Sequence, residues 1–391
     1  MEGFEFSCPT KIVCGRSALE KTTSELKGLQ VTKVLVVTDQ GLVKLGIAEK
    51  LYAVLAADGF AYEVFDEVPP DSSLEVVREV AALYTEKGCD GFVAIGGGSV
   101  IDTTKGAAAS LSCKGADFAT LQGSEILTGD LPPFIAIPTT AGTGSEVTLA
   151  AVVADKERQV KLSFISYKLI PHTAILDPAL TASLPPKLTA TTGMDAMTHA
   201  IEAYTSVQKN PISDAFAVCA LKLISANLFK ACADGNDTDA RTALAIGSLM
   251  AGAAFSNAMV GVVHAIGHSL GGLCRIPHGQ AMMMLLPHCI DYNLSHGINQ
   301  GLYGELLLNI DETLYTATEP ARRDAVFAQL IHVYNKRFHE QYGVPIHLHE
   351  LGVEHDQFDA IAQQARYDGS ALYNKSEISV EAAKAILEAT Y

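Results

Sequence analysis

From Lys33 onward the chain alternates short apolar runs with amphipathic stretches. KVLVVTD (Lys33–Asp39), AYEVFDEV (Ala61–Val68), DGFVAIGGGS (Asp90–Ser99) and PFIAIPTT (Pro133–Thr140) read as buried strands. Stretches such as Leu74–Lys87 between them read as helices. Strands of nearly continuous apolar character, separated by helices, predict a parallel sheet covered on both faces. After AILDPALTASLPPKLTATTG (Ala174–Gly193), punctuated by Asp177-Pro178 and Pro185-Pro186, the pattern changes. Helical periodicity then runs to the C-terminus with almost no strand-like run. The expected fold class is an α/β N-terminal domain with a parallel sheet, residues 1–182, followed by an all-helical domain, residues 183–391. Leu249–Val263 is nearly all apolar or small and leads straight into His264. It falls short of the ~20 apolar residues of a membrane span, so it reads as a helix buried in a globular domain.

Composition agrees with two domains. The chain has 391 residues, more than one core usually serves. Apolar residues make up 48% and charged residues 18%, a globular balance. The formal net charge of −16, with Lys and Arg scattered, provides no basic footprint for nucleic acid or an anionic membrane. Eight cysteines occur, none as C-x-x-C, so neither a zinc knuckle nor a disulfide framework is expected. The start MEGFEFSCPTKIVCG has no basic segment followed by an apolar one, hence no evident signal peptide, and a reducing cytoplasm is the simplest home.

Two glycine-rich loops follow predicted strands. In FVAIGGGSVIDTTKGAA, Gly96, Gly97 and Gly98 permit close approach of a ligand, and Ser99 is placed to cap the next helix. A helix N-terminus attracts phosphate. The segment is neither a P-loop nor the usual dinucleotide fingerprint, since the third glycine position is Ile101. A tight turn without ligand is the competing reading. Asp39 ends the first strand, where a carboxylate either holds an adenosine ribose, favouring NAD over NADP, or caps a helix. PTTAGTGSE (Pro138–Glu146) is a second loop at the same sheet edge, either a ligand contact or a surface loop.

The other chemistry lies in the helical half. GMDAMTHAIEAY (Gly193–Tyr204) sets Asp195 and His199 four residues apart among apolar neighbours. GVVHAIGHSLGGLCRIPHGQ adds His264 and His268 on one helix face, and His278 past a break. A buried carboxylate is costly unless it is paired or metal-bound. Imidazoles with a carboxylate suit Fe(II), Zn or a similar divalent ion. An Asp–His hydrogen bond with satisfied core histidines is the alternative.

Taken together, GGGSVIDTTK, PTTAGTGSEVT, KLIPHTAILDP, GMDAMTHAIEAYTS and HAIGHSLGG…PHG…LLPH, in this order and spacing, resemble the iron-containing (group III) alcohol dehydrogenase family over essentially the whole length. The resemblance implies a dehydroquinate synthase-like fold with an N-terminal dinucleotide-binding domain and a helical metal-binding domain. It implies Asp195, His199, His264 and His278 as metal ligands, with His268 a non-ligating histidine near the nicotinamide. Gly97, Gly98 and Ser99 match pyrophosphate contacts with Asp102 close by, Thr139, Thr140 and Lys161 match further cofactor contacts, and Asp39 matches the ribose acid. The implied reaction is hydride transfer between a small primary alcohol or aldehyde and NAD, with Fe(II) or Zn at the metal site. His268 is either a proton relay or structural.

This chain departs from the family where it reads Gln280-Ala281-Met282-Met283 in place of x-Ala-Asn-Ala, and Asn374-Lys375-Ser376 in place of Asn-Pro-Arg. The competing readings are a glycerol dehydrogenase-like polyol oxidoreductase, which lacks this Asp-plus-three-His set, and a non-catalytic nucleotide-binding protein. A homo-oligomer is expected, with the alternating FEFSCPTKIV start as an edge strand for a dimer.

Overall fold

The computed structural model describes residues 3–112, 118–127, 129–158 and 160–391; Cys113 lies outside the described residues. The chain forms two compact units, one spanning Ser7–Ser183 and the other Leu184–Tyr391 joined by the N-terminal segment through Phe6. Phe6 lies with its ring 5.4 Å from that of Phe216.

In the first unit the strands are β1 (Lys11–Cys14), β2 (Lys33–Val37), β3 (Ala61–Phe65), β4 (Gly91–Gly96), β5 (Gly123–Ser124), β6 (Phe134–Pro138), β7 (Ala150–Asp155), β8 (Val160–Ile165) and β9 (Thr173–Leu176). Its helices are α1 (Thr22–Gly28), α2 (Gln40–Lys44), α3 (Ala48–Ala57), α4 (Leu74–Lys87) and α5 (Gly98–Ser112). Six strands make a parallel sheet in the order β1-β9-β6-β4-β2-β3. Side chains alternate between its faces, as the pleat requires. Val34, Val36, Val93, Ile95, Ile135 and Ile137 pack on Leu26, Leu51 and Leu55 of α1 and α3. Leu35, Val37, Phe92, Ala94, Phe134 and Ala136 pack on Val76, Val80, Val100 and Ile101 of α4 and α5. Burial on both faces is why these strands read as unbroken apolar runs.

The strand order reverses between β2 and β4, because the chain runs outward from β2 to β3 and then returns to β4. Ligands of open α/β sheets bind beyond the strand ends at such a switch point. Thr38 after β2 donates to the Ile95 carbonyl of β4 at 2.9 Å and ties the two ends together.

A small second sheet, β5-β8-β7, was not expected. Its β7–β8 pair is antiparallel, Ala150 facing Ile165 through Asp155 facing Val160.

The second unit is helical: α6 (Pro186–Thr205), α7 (Pro211–Ala233), α8 (Thr238–Ala258), α9 (Val262–Cys274), α10 (His278–Ser295), α11 (Leu302–Ile310), α12 (Glu312–Ala317), α13 (Arg323–Tyr342), α14 (Phe358–Arg366) and α15 (Val380–Thr390). α6 starts on Pro185-Pro186, a residue type pre-set for the first turn. α7 starts on a capping box in which Asn210 accepts from Ile212 and Ser213. By length and composition α7 would pass as a membrane span, yet it packs along α6 and α8.

The expectation of one helix over Leu249–Val263 is corrected. α8 stops at Ala258, and the chain turns by 103° into α9. Met259 holds φ 65°, a conformation costly for a side chain with a Cβ. Gly261 follows, where an added Cβ would stand 3.1 Å from Asn374 Oδ1 and 3.2 Å from Glu202 Oε1. The turn makes His264 the third residue of a new helix.

Candidate metal centre and nucleotide loops

Helical spacing does the first step of assembly. Asp195, His199 and Glu202 stand at i, i+4 and i+7 on α6 and share one face, all at least 95% buried. α9 brings His264 and His268, and α10 begins at His278, so one imidazole projects from its first residue. Gly279 makes the α10 start possible: an added Cβ would lie 2.8 Å from the Thr191 carbonyl oxygen, one turn before Asp195.

The structure brings Asp195, His199, His264 and His278 together, with one ligand-type atom of each within 4.8 Å of the others. From Asp195 Oδ1 the distances are 3.4 Å to His278 Nε2, 3.9 Å to His199 Nε2 and 4.0 Å to His264 Nε2. Two ligands of a tetrahedral ion with bonds of ~2.1 Å lie about 3.4 Å apart. Asp195 Oδ1 and His264 Nε2 are buried with no hydrogen-bond partner. Buried polar atoms are normally satisfied, and these two face one point. The donor set therefore fits a divalent cation. His199 Nδ1 is also buried and unpartnered.

Electrostatics favour the same ligand states. Burial resists the Asp195 charge, but His199, His278 and His264 outweigh it and hold the carboxyl well below its ordinary range. Burial pushes His199 down to about 3 against the pull of Asp195, and lowers His264 strongly. Neutral imidazoles keep a lone pair for a metal.

Two residues outside the predicted set complete the surroundings. Glu202 Oε2 lies 2.5 Å from His264 Nδ1, and Oε1 accepts from the Val263 N–H at 2.7 Å. With Glu202 ionised, this pair puts the proton on Nδ1 and leaves Nε2 toward Asp195 as a lone-pair donor. Burial pushes Glu202 up to about 7, against the Gly261 and Val263 N–H groups. Asp368 Oδ2 lies 3.0 Å from His268 Nδ1, and the His268 ring stacks on that of His278 at 5.6 Å. Burial opposes the Asp368 charge, but His268 and Ser370 hold the carboxyl below its ordinary range. The i+7 position of Glu202 on the Asp195 face was a legible signal; Asp368 left none. The departure at Met282 is absorbed by Gly267, since a Cβ there would fall 1.8 Å from Met282 Cε.

In the first unit, the loop after β4 is shaped by contacts. An added Cβ on Gly98 would stand 2.7 Å from Thr143 Cγ2, and one on Gly97 3.4 Å from Thr140. Ser99 lies inside the first turn of α5 and not at its cap, because the helix already starts at Gly98. Its Oγ accepts from the Asp71 N–H at 3.3 Å, and Asp71 Oδ1 pairs with Lys161 Nζ at 2.8 Å. Thr139 donates its N–H to the Gly96 carbonyl. Asp102 ties the two loops together, accepting from Ser145 Oγ at 2.5 Å and from the Val152 N–H at 3.0 Å. Asp39 caps α2, its Oδ1 accepting from the Leu42 N–H at 3.0 Å.

Beneath this loop lies Lys105, fully buried, donating to the Thr148 carbonyl, the Thr148 hydroxyl and the Ala150 carbonyl at 2.7–2.9 Å. Burial pushes Lys105 down to about 8 and nearby Glu146 up to about 7. Through these bonds Lys105 joins α5 to the segment that follows the second loop, a link with no signal in the sequence.

Residues 9–178 match the family model described as iron-containing alcohol dehydrogenase, and residues 189–391 match that of the Fe-containing alcohol dehydrogenase family C-terminal region. The chain is 38% identical to the 1,3-propanediol dehydrogenase of Klebsiella pneumoniae over 95% of its length and 94% of the relative's. It is 36% identical to the NAD-dependent methanol dehydrogenase of Bacillus methanolicus over 93% of each. A crystal structure of 1,3-propanediol oxidoreductase superposes with a TM-score of 0.93 at 36% identity, covering 100% of both chains.

Proposed function

The chain belongs to the iron-containing alcohol dehydrogenase family and is an NAD-dependent alcohol oxidoreductase, and from that premise we propose that it interconverts a small primary alcohol and its aldehyde with a divalent metal, Fe(II), held by Asp195, His199, His264 and His278. The observation that carries this reading is the convergence of Asp195 Oδ1 and His264 Nε2, buried and unpartnered, between two further imidazoles. The metal supplies Lewis acidity to the alcohol or aldehyde oxygen. Iron is preferred to zinc on family grounds, since an N/O donor set accepts both.

The side chains have separable roles. Glu202 keeps the His264 proton on Nδ1. His268, held by Asp368 through Nδ1, keeps Nε2 for the proton released when alcohol is oxidised; bound NAD would supply the hydride acceptor. Gly97, Gly98 and Ser99 present backbone N–H groups at the start of α5 for the pyrophosphate. Lys161, one residue from Ser99 through Asp71, adds positive charge, while Asp102 holds the loop carrying Thr139 and Thr140 in place. Asp39, with one oxygen capping α2, would use the other for the adenosine ribose, which favours NAD over NADP.

A cytoplasmic homodimer is part of the same reading, supported by β1 at an open edge of the sheet and by free cysteines throughout the described residues. The 1,3-propanediol and methanol dehydrogenases named above support short unbranched alcohols and diols as substrates. The test is NADH oxidation across a panel of short aldehydes, with enzyme reconstituted separately with Fe(II) and Zn. Turnover with Fe(II) supports the reading; no turnover with either ion on any aldehyde defeats it.

A further inference from the structure

A second group of imidazoles and a carboxylate lies on the seam between α10 and α13. His288 and Asp291 are three residues apart on α10 and share a face; His332 meets them from α13. One ligand-type atom from each lies within 4.8 Å of the others. His332 Nε2 is 2.6 Å from Asp291 Oδ2, and the His288 and His332 rings meet edge to face with centroids 5.1 Å apart. The group is distinct from the first centre: His278 and His288 are ten residues apart on α10, about 15 Å along its axis.

The seam itself is fixed by the backbone. Pro287 has no N–H, so the Met283 carbonyl one turn earlier loses its helical donor. Asn335 of α13 supplies the replacement, Nδ2 donating to that carbonyl at 2.6 Å. Asn335 lies one turn from His332, so this bond sets His332 opposite Asp291. Burial pushes His288 down to about 4, with His332 adding to the effect, and its imidazole is neutral with a lone pair to give. The His332 and Asp291 side chains are 38% and 51% exposed, so both can close on an ion and leave positions for water.

Two imidazoles and one carboxylate form the donor set of zinc and neighbouring divalent ions, and an alkali or alkaline-earth ion would prefer oxygen ligands. We infer that His288, Asp291 and His332 form a second, solvent-facing site for a divalent transition ion, and that the ion clamps α13 to α10. It stabilises the helical unit by binding the folded chain, as any ligand of the native state does.

The test loads the first centre with Fe(II), titrates Zn(II), and measures total iron plus zinc per chain after dialysis. Wild type is expected to hold two ions per chain, and His332→Ala and Asp291→Asn one each, with zinc affinity at the lost site down at least tenfold. The zinc-induced rise in thermal midpoint is lost in both variants, while aldehyde reduction by the Fe(II)-loaded enzyme stays at the wild-type rate. Asp291→Asn, at an exposed side chain, preserves the test if His332→Ala misfolds. Equal metal content in wild type and both variants overturns the inference. Because the readout is the difference in metal content between wild type and variants at a separate position, its failure leaves the reading of the first centre untouched, and an empty first centre lowers both totals without changing that difference.

Discussion

Asp195 and His264 each bury a polar atom with no partner, and both atoms face the same point. A fold does not keep that arrangement for stability, since replacing buried ionic groups by apolar ones is often neutral. His264→Ala is therefore expected to reduce bound metal to less than a tenth of the wild-type content while the far-UV circular dichroism is unchanged. Full metal content in purified variant protein would remove His264 from the ligand set. Asp39 carries a different ambiguity, because one oxygen caps α2. Asp39→Gly would change charge and helix end together. Asp39→Asn retains a capping oxygen, as Asn and Asp cap about equally well, and removes only the charge. Repulsion between unit charges about 4 Å apart is worth roughly 1 kcal/mol in bulk water and roughly 4 kcal/mol near a protein surface, a range that includes the ~1.4 kcal/mol of a tenfold change. The ratio of kcat/KM with NADPH to that with NADH should rise about tenfold in Asp39→Asn, and an unchanged ratio would leave Asp39 as a cap alone.

At the scale of elements, the positions of three helices decide whether the ligands meet. The tightest constraint is at the start of α10, where Gly279 lies against the backbone of Thr191. Backbone cannot step aside as a side-chain tip can. Gly279→Ala should push the α10 start off α6, cost about 1–3 kcal/mol by overpacking, and weaken metal binding ten- to a hundredfold through the displaced His278. Metal titration followed by absorbance or calorimetry checks this, and wild-type affinity in a folded Gly279→Ala protein would show that the contact does not position His278. Which elements were legible in sequence follows from which forces are local. α4 ends where its periodicity does, Leu74–Lys87, and β2, β4 and β6 show as apolar runs because both faces are covered. The β7–β8 hairpin was hidden because its turn, at Lys156–Arg158, has neither Gly nor Pro. The break at Met259 was hidden because its residues look helical; the left-handed φ is imposed by the need to turn α9 back toward α6. The four-residue spacing of Asp195 and His199 was visible at once. The Asp368 contact with His268 spans 100 residues and is a product of packing alone.

For the whole molecule, the division into two compact units gives the metal a local effect on stability. All four candidate ligands, with Glu202 and Asp368, belong to the unit containing Leu184–Tyr391. Without a cation, burial of Asp195 among imidazoles leaves polar atoms unsatisfied, at about 1–3 kcal/mol for each such group. A bound ion removes that penalty and stabilises the native state by about 2.7 kcal/mol at a hundredfold excess over its dissociation constant. Hydrogen exchange reports such gains segment by segment. Loading Fe(II) into metal-free protein should slow exchange in α6, α9 and the first turns of α10, with strands β1 to β9 unchanged. Adding NAD alone should slow exchange after β2 and β4, at the strand ends beside the switch point, with α6 unchanged. A metal response spread evenly over both units would mean that the ion acts on global unfolding and not through the ligands of α6, α9 and α10. No response in α6 would place the ion elsewhere, and the seam of His288, Asp291 and His332 would be the first alternative to examine.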